Sequence, residues 1–144
     1  MSKESQVTSD NYAQLAARTE SVPKDIPSAS PDFGKDKMLR LLHCAMGMCT
    51  EAGEIQDQLK RAIFYPGAKL DLDNIIEEAG DMLWYVGVLC NLLDISLTQL
   101  LTANINKLHK RYPEGFSGFD ALNRNVEAEM EAIQTSIKDD LQNT

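Results

Sequence analysis

Apolar residues at Met38, Leu41, Leu42, Ala45, Met48, Ala52, Ile55 and Leu59 recur every three to four positions, the period of one face of an α-helix. The pattern predicts a long helix over 35–64, stopped by Tyr65-Pro66-Gly67. Asp71 or Asp73 can cap the next helix, which Asp94 ends. Ser96 caps another, running to about Tyr112, where Pro113 and Gly115 stop it. Ahead of these, a short helix over 10–19 puts Tyr12, Leu15 and Ala16 on one face. Pro23, Pro27 and Pro31 make Glu20 to Gly34 a loop. A last amphipathic segment, 125–141, carries Val126, Met130, Ile133, Ile137 and Leu141 on one face, a stripe that wants a partner.

The apolar stretches are built from Leu, Ala, Met and Ile rather than the Val, Thr and Tyr of strands. A chain of 144 residues with 43% hydrophobic content can close one core. The expected fold is therefore all-α. It is an antiparallel helical bundle of four core helices plus a C-terminal amphipathic helix, completed by oligomerisation. Residues 1–9 form a flexible N-terminus, 10–117 the main domain, and 118–144 a segment for packing or oligomerisation.

Two acidic units sit on the central helices. Glu51-Ala52-Gly53-Glu54 lies midway through the first, and Glu78-Ala79-Gly80-Asp81 lies in the second. Carboxylates three residues apart project from one helical face, one turn from each other. Glu54 and Glu78 each stand 12 residues from Pro66. An antiparallel hairpin about that proline brings all four acids to one level. Four carboxylates converging at an apolar interface repel strongly unless a cation joins them. All-oxygen ligation suits Mg²⁺, with Mn²⁺ as a substitute. A di-iron bundle would need Glu-x-x-His on two helices, and neither His43 nor His109 stands three residues after a Glu. Gly47, Gly53, Gly80 and Gly87 each cost about 1 kcal/mol in a helix interior relative to Ala. Close helix approach would offset that cost.

The net charge of −8 argues against a nucleic-acid duplex or an anionic membrane as partner. An anionic substrate would need local neutralisation, which a divalent cation supplies. Cys44, Cys49 and Cys90 form no CxxC pair and suit a reducing, cytoplasmic setting. The most apolar window, 82–101, is interrupted by Asn91, Asp94 and Gln99, which fits a buried helix and turn better than a membrane span.

At these residues the chain resembles the MazG-like, all-α NTP pyrophosphatase superfamily. Glu51/Glu54 and Glu78/Asp81 match its ExxE and ExxD units. The segments EAGEIQDQLK (51–60), EEAGDMLWYV (77–86) and NINKLHKRYPEGF (104–116) are similar to that family. Tyr12, Ala16, Arg18 and Thr19 are similar to the opening YQxxAxRT of phage and bacterial members, with Ala13 in place of the Gln. Thr50 stands where the family often carries a further Glu. The resemblance spans roughly 10–117. It implies Mg²⁺-dependent cleavage of the α–β phosphate bond of a nucleoside triphosphate, and homodimers or homotetramers.

Glu51, Glu54, Glu78 and Asp81 are thus expected as metal ligands and catalytic residues, with Glu51 favoured to activate water. Asn104, Lys107 and Arg111 share one face and match the family's NxxKxxxR pattern, which implies a hold on phosphate or sugar. Tyr85, one turn after Asp81, and Lys60, about two turns after the first acid pair, complete the expected substrate contacts. Trp84, Phe33, Tyr12 and Gln14 are candidates for the base. Met38, Met46, Met48 and Met82 read as core filler, and His43 as a core residue. The alternative functions are a non-catalytic nucleotide- or metal-binding regulator and an interaction bundle.

Overall fold

A computed structural model of the chain describes residues 6–20 and 35–141, apart from the side chains of 35, 36 and 139–141. Phe33 and most of the expected 20–34 loop lie outside the described residues, as does the Leu141 side chain. The described residues are helical, with no strand among them: α1 (Tyr12–Ala17), α2 (Lys35–Phe64), α3 (Leu72–Leu93), α4 (Leu97–Arg111), α5 (Gly118–Leu122) and α6 (Val126–Leu141). The all-α expectation holds. No single helix among the described residues is long and apolar enough to cross a membrane. The chain divides into two compact units between Asp94 and Ile95.

In the first unit α2 packs on α3, and α1 packs on α3. The turn between α2 and α3 is closed by a hydrogen bond from the Ala68 N–H to the Tyr65 carbonyl at 3.1 Å. Pro66 and Gly67 occupy its two central positions, and Gly67 has φ +83°. That is the geometry of a type II turn, which demands positive φ at its third residue. Asp71 caps α3 by accepting from the Asn74 N–H at 3.1 Å. Asp94 ends the helix in the left-handed region, at φ 58°, a conformation Asp tolerates better than most residues.

The contact face of α2 is rotated from the expected one. Its less exposed side runs Leu41, Cys44, Met48, Glu51, Ile55, Gln58 and Ala62, alternating steps of three and four. Of the expected face, Met38, Leu41, Met48 and Ile55 are half-buried, whereas Leu42, Ala45, Ala52 and Leu59, one position beyond the seam residues, are exposed, as is Met46. Met46 therefore does not fill the core, whereas Met38, Met48 and Met82 are half-buried. The corresponding side of α3 runs Ile75, Glu78, Met82, Tyr85, Leu89 and Leu92. Steps of three and four are the seam of helices packed almost in line. The core gathers Ala16, Cys44, Val88 and Leu92, with Tyr12, Leu41, Trp84, Tyr85 and Leu89 against them.

Two of the four glycines within α2 and α3 make close approaches. A Cβ on Gly47 would collide with the Tyr85 ring. One on Gly87 would lie 2.9 Å from the Tyr12 ring. Gly53 and Gly80 face open space, so close helix packing does not account for them.

In the second unit α4 packs on α6, and polar pairs run through the contact. Glu129, buried on α6, accepts forked pairs from two arginines. Arg111 donates at 3.0 and 2.6 Å, and Arg124 at 3.2 and 2.7 Å. The Asn106 amide donates to the Ser136 hydroxyl at 3.0 Å. α6 buries Glu129 and Ser136, whereas Val126 and Met130 of the expected apolar stripe are exposed. Two turns of helix separate Glu129 from Ser136, and Ile133 and Ile137 of the expected stripe are half-buried on the same side. Ser96 builds a capping box with Gln99 at the start of α4. α5 is an addition to the expected elements, nucleated by Ser117 accepting from the Asp120 N–H at 3.0 Å.

Two stability outcomes follow. Gly53→Ala should stabilise the protein by up to about 1 kcal/mol, the helix-propensity gain. Gly47→Ala makes the same gain but must expel the Tyr85 ring, an overpacking cost of about 1–3 kcal/mol that leaves it net destabilised. Denaturant titration of both variants checks the opposite signs. Separately, the two arginines hold the Glu129 carboxyl at about 2, against an ordinary 4.5. A carboxyl depressed on folding stabilises fully above 4.5, and that contribution drains away as pH falls toward 2. Thermal melts from pH 5 downward should show a steep loss in the wild type. Glu129→Gln should be less stable at neutral pH and flatter across that window.

Candidate metal centre

Glu51 and Glu54 share one face of α2 because three residues are close to one helical turn. Glu51 occupies a seam position and is half-buried, while Glu54 stands at the seam's exposed edge. Glu78 lies on the facing seam of α3 and is buried, at 5% exposure. One carboxylate oxygen from each of these three residues lies within 4.8 Å of the others. The equal spacing about Pro66 thus brings together three of the four expected acids. Asp81, one turn beyond Glu78, is exposed and stands outside that trio. With Glu51, Tyr85, Trp84 and Thr19 it lines an open cavity of about 340 Å³. Glu51 is the carboxylate common to trio and cavity.

The site is short of positive charge. Burial first, then its hydrogen bond with Glu78 and the charges of Glu54, Glu78 and Asp81, push the Glu51 carboxyl above its ordinary range. The Glu78 charge, followed by burial, does the same to Glu54. The Tyr85 phenol is raised by burial and by the charges of Glu51 and Asp81. Such a cluster favours either a bound proton or a cation. Among the described residues this group is three carboxylates with no His or Cys in it, the donor set of a hard divalent ion.

Asn74 joins this cluster from the first turn of α3. Its amide donates to Glu78 Oε1 at 2.7 Å. Its own Oδ1 is buried with no hydrogen-bond partner. An unpaired buried acceptor costs about 1–3 kcal/mol. Asn74 is absent from the residues expected on sequence, although its place four positions before Glu78 puts the two on one face.

The aromatic side of the cavity is firmly set. The Trp84 indole N–H donates to Thr19 Oγ1 at 2.8 Å, tying α3 to the end of α1. Tyr85 lies edge-on to Trp84 and to His43, with ring centroids 4.8 and 5.5 Å away. Its ring sits in the slot over Gly47. Tyr85 and Trp84 therefore both pack on the core and line the cavity, and Thr19 is a further lining residue. Tyr12 packs against Gly87, and Gln14 is exposed.

The other expected substrate contacts are engaged locally. Lys60 pairs with Asp57 on α2, beside a cleft lined by Gly53, Gln56, Leu59, Ile63 and Phe64. In the second unit Lys107 donates to Asn104 at 2.6 Å, on an exposed part of α4. Arg111 is half-buried and held by Glu129. Its guanidinium is thereby part of the α4–α6 contact.

Comparison with known proteins identifies the chain's relatives. Residues 41–116, more than half of the chain, match the model of the MazG nucleotide pyrophosphohydrolase domain. Gene 37 protein of Mycobacterium phage L5 is 34% identical over 83 residues, covering 56% of this chain and 73% of that protein. No solved structure matches the chain. The matched segment contains both acid pairs and Asn74, and extends through α4. The chain belongs to the MazG nucleotide pyrophosphohydrolase family.

Proposed function

We propose that this protein is a Mg²⁺-dependent nucleoside triphosphate pyrophosphohydrolase. It hydrolyses the α–β phosphate bond of an NTP or dNTP to the monophosphate and pyrophosphate. The observation that carries the reading is the convergence of Glu51, Glu54 and Glu78 within 4.8 Å on two packed helices. Family membership supplies the reaction class.

In this reading Glu51, Glu54 and Glu78 hold the cation, and Asp81 contributes from the cavity side. Bound there, Mg²⁺ would neutralise phosphate charge and act as a Lewis acid on the phosphoryl oxygens. Glu51 takes the proton of the attacking water, since it alone belongs to both the acid trio and the cavity. The water oxygen bonds to the α-phosphorus as the α–β bridging bond breaks and pyrophosphate departs. Tyr85 and Trp84 offer the cavity's apolar wall to sugar or base. Asn104 and Lys107 are assigned to phosphate or sugar, and so is Lys60. For Arg111 the fork to Glu129 favours a supporting role, keeping α4's face in place.

The unpaired thiols of Cys44, Cys49 and Cys90 suit a cytoplasmic setting. Homo-oligomerisation is part of the same reading. Ile63, Phe64, Leu72 and Ile76 are 62–71% exposed near the α2–α3 turn. Monomers rarely leave so many large apolar side chains in water.

A panel of canonical and damaged NTPs and dNTPs, with both products measured, tests the activity. Equal amounts of monophosphate and pyrophosphate are expected with Mg²⁺, and none after chelation. Glu54→Ala and Asp81→Ala should each lower the rate by about 10²-fold or more, since losing even an outer-shell partner costs 10–100-fold. Full activity in both variants would refute the ligand assignment. Light scattering on the eluted protein should report a dimer or tetramer, and a monomer at micromolar concentration would refute the assembly.

A further inference from the structure

We infer that Asn74 is a positioning residue of the metal centre, holding Glu78 ready for the cation through its side-chain amide. The inference rests on the reading of the acid cluster as a metal site.

Three observations support it. First, the geometry is a chain of two hydrogen bonds anchored at a helix start. Asp71 accepts from the Asn74 backbone N–H at 3.1 Å, and the Asn74 amide donates to Glu78 Oε1 at 2.7 Å. The cap fixes the Asn74 backbone, and the side chain then fixes one oxygen of Glu78. Orientation of a ligating carboxylate by an outer hydrogen bond is a general feature of metal sites.

Second, Glu78 needs such a partner more than its neighbours do. It is the buried member of the trio, while Glu51 is half-buried and Glu54 exposed. Water can solvate and reorient Glu54 but has little access to Glu78. The other groups near Glu78 are carboxylates, which cannot donate when ionised. Glu51 and Glu54 can share a proton with Glu78, but only while protonated, which metal ligation forbids, so among the described residues Asn74 is the side-chain donor that Glu78 keeps when all three acids are ionised.

Third, the amide's other end is unsatisfied. A carboxylate only accepts, so the NH₂ group must face Glu78, and this turns Oδ1 inward. There it is buried without a partner. A residue present for stability alone would not be expected to leave its acceptor unpaired in the interior. A water carried by the bound cation would be a natural donor to that oxygen. Mg²⁺ characteristically retains several waters.

The test measures metal binding directly, apart from turnover. Mn²⁺ binding is followed by electron paramagnetic resonance on the full chain for wild type, Asn74→Ala, Asn74→Leu and Asn74→Gln. Each is held well below its melting temperature, which is measured without metal. The expected result is Mn²⁺ affinity weaker by about 10–100-fold in the Ala and Leu variants. Melting temperatures should change little, because the donor to Glu78 and the unpaired acceptor are lost together, two effects of similar size and opposite sign. Asn74→Gln keeps an NH₂ donor within reach and should recover most of the affinity. Wild-type affinity in both Ala and Leu variants would overturn the inference, as would a Gln variant as weak as the Leu variant. If the wild type itself binds no Mn²⁺, the metal reading of the acid cluster falls, and the inference falls with it.

Discussion

Two ionisable side chains occupy positions that an ordinary helical pair would give to leucine. Glu51 and Glu78 lie on facing seams of α2 and α3, in register with Leu41, Met48, Met82 and Leu89. A charge withdrawn from water is expensive, and like charges brought together add to the expense. The raised proton affinities of Glu51 and Glu54 are the local sign of that tension. The helices around the acids are therefore under a constraint. They must be stiff and well packed enough to hold carboxylates where sequence-local forces would drive them apart.

Several features meet that constraint. The Pro66-Gly67 turn fixes the hairpin's register, and a slip of one residue would rotate Glu78 away from the seam. Gly47 lets the Tyr85 ring lie against α2, one turn from Glu51. Gly87 performs the matching service for Tyr12, which seats α1 on α3. The bond from Trp84 to Thr19 ties α1 to the same edge of the cavity. Packing and site are thus one construction. The aromatic side chains that close the core also form the wall beside the carboxylates.

The second unit solves a different problem with different means. Its helix contact is built on a buried Glu129 forked to two arginines and on an Asn106–Ser136 hydrogen bond. Breaking one partner of a buried ion pair leaves an uncompensated charge, which makes such contacts specific though not strongly stabilising. Arg111 is drawn into this contact. A residue whose pattern suggests phosphate is held by a carboxylate 18 positions away in sequence.

Much of this was legible from residues alone. The limits of α2 and α3 follow from apolar period, Asp71, Asp94 and the Tyr65-Pro66-Gly67 stop, all local signals. The pairing of Glu51 and Glu54 with Glu78 follows from helical spacing and distance to one turn. α5 was not legible, because five residues are too few to display a period. The face that α6 buries was legible only in part: Ile133 and Ile137 of the apolar stripe are half-buried, but ion pairing buries Glu129 and leaves Val126 and Met130 exposed. The one-residue rotation of the α2 contact face, the separation of Asp81 from the trio, and the orphaned Asn74 oxygen depend on how helices settle against each other. The sequence by itself determined where helices start and stop and which acids could meet, because capping, turn chemistry and periodicity act within a few residues. Only the tertiary structure decided which acids do meet and which cations are already paired. Those outcomes are set by packing and charge between residues far apart in the chain.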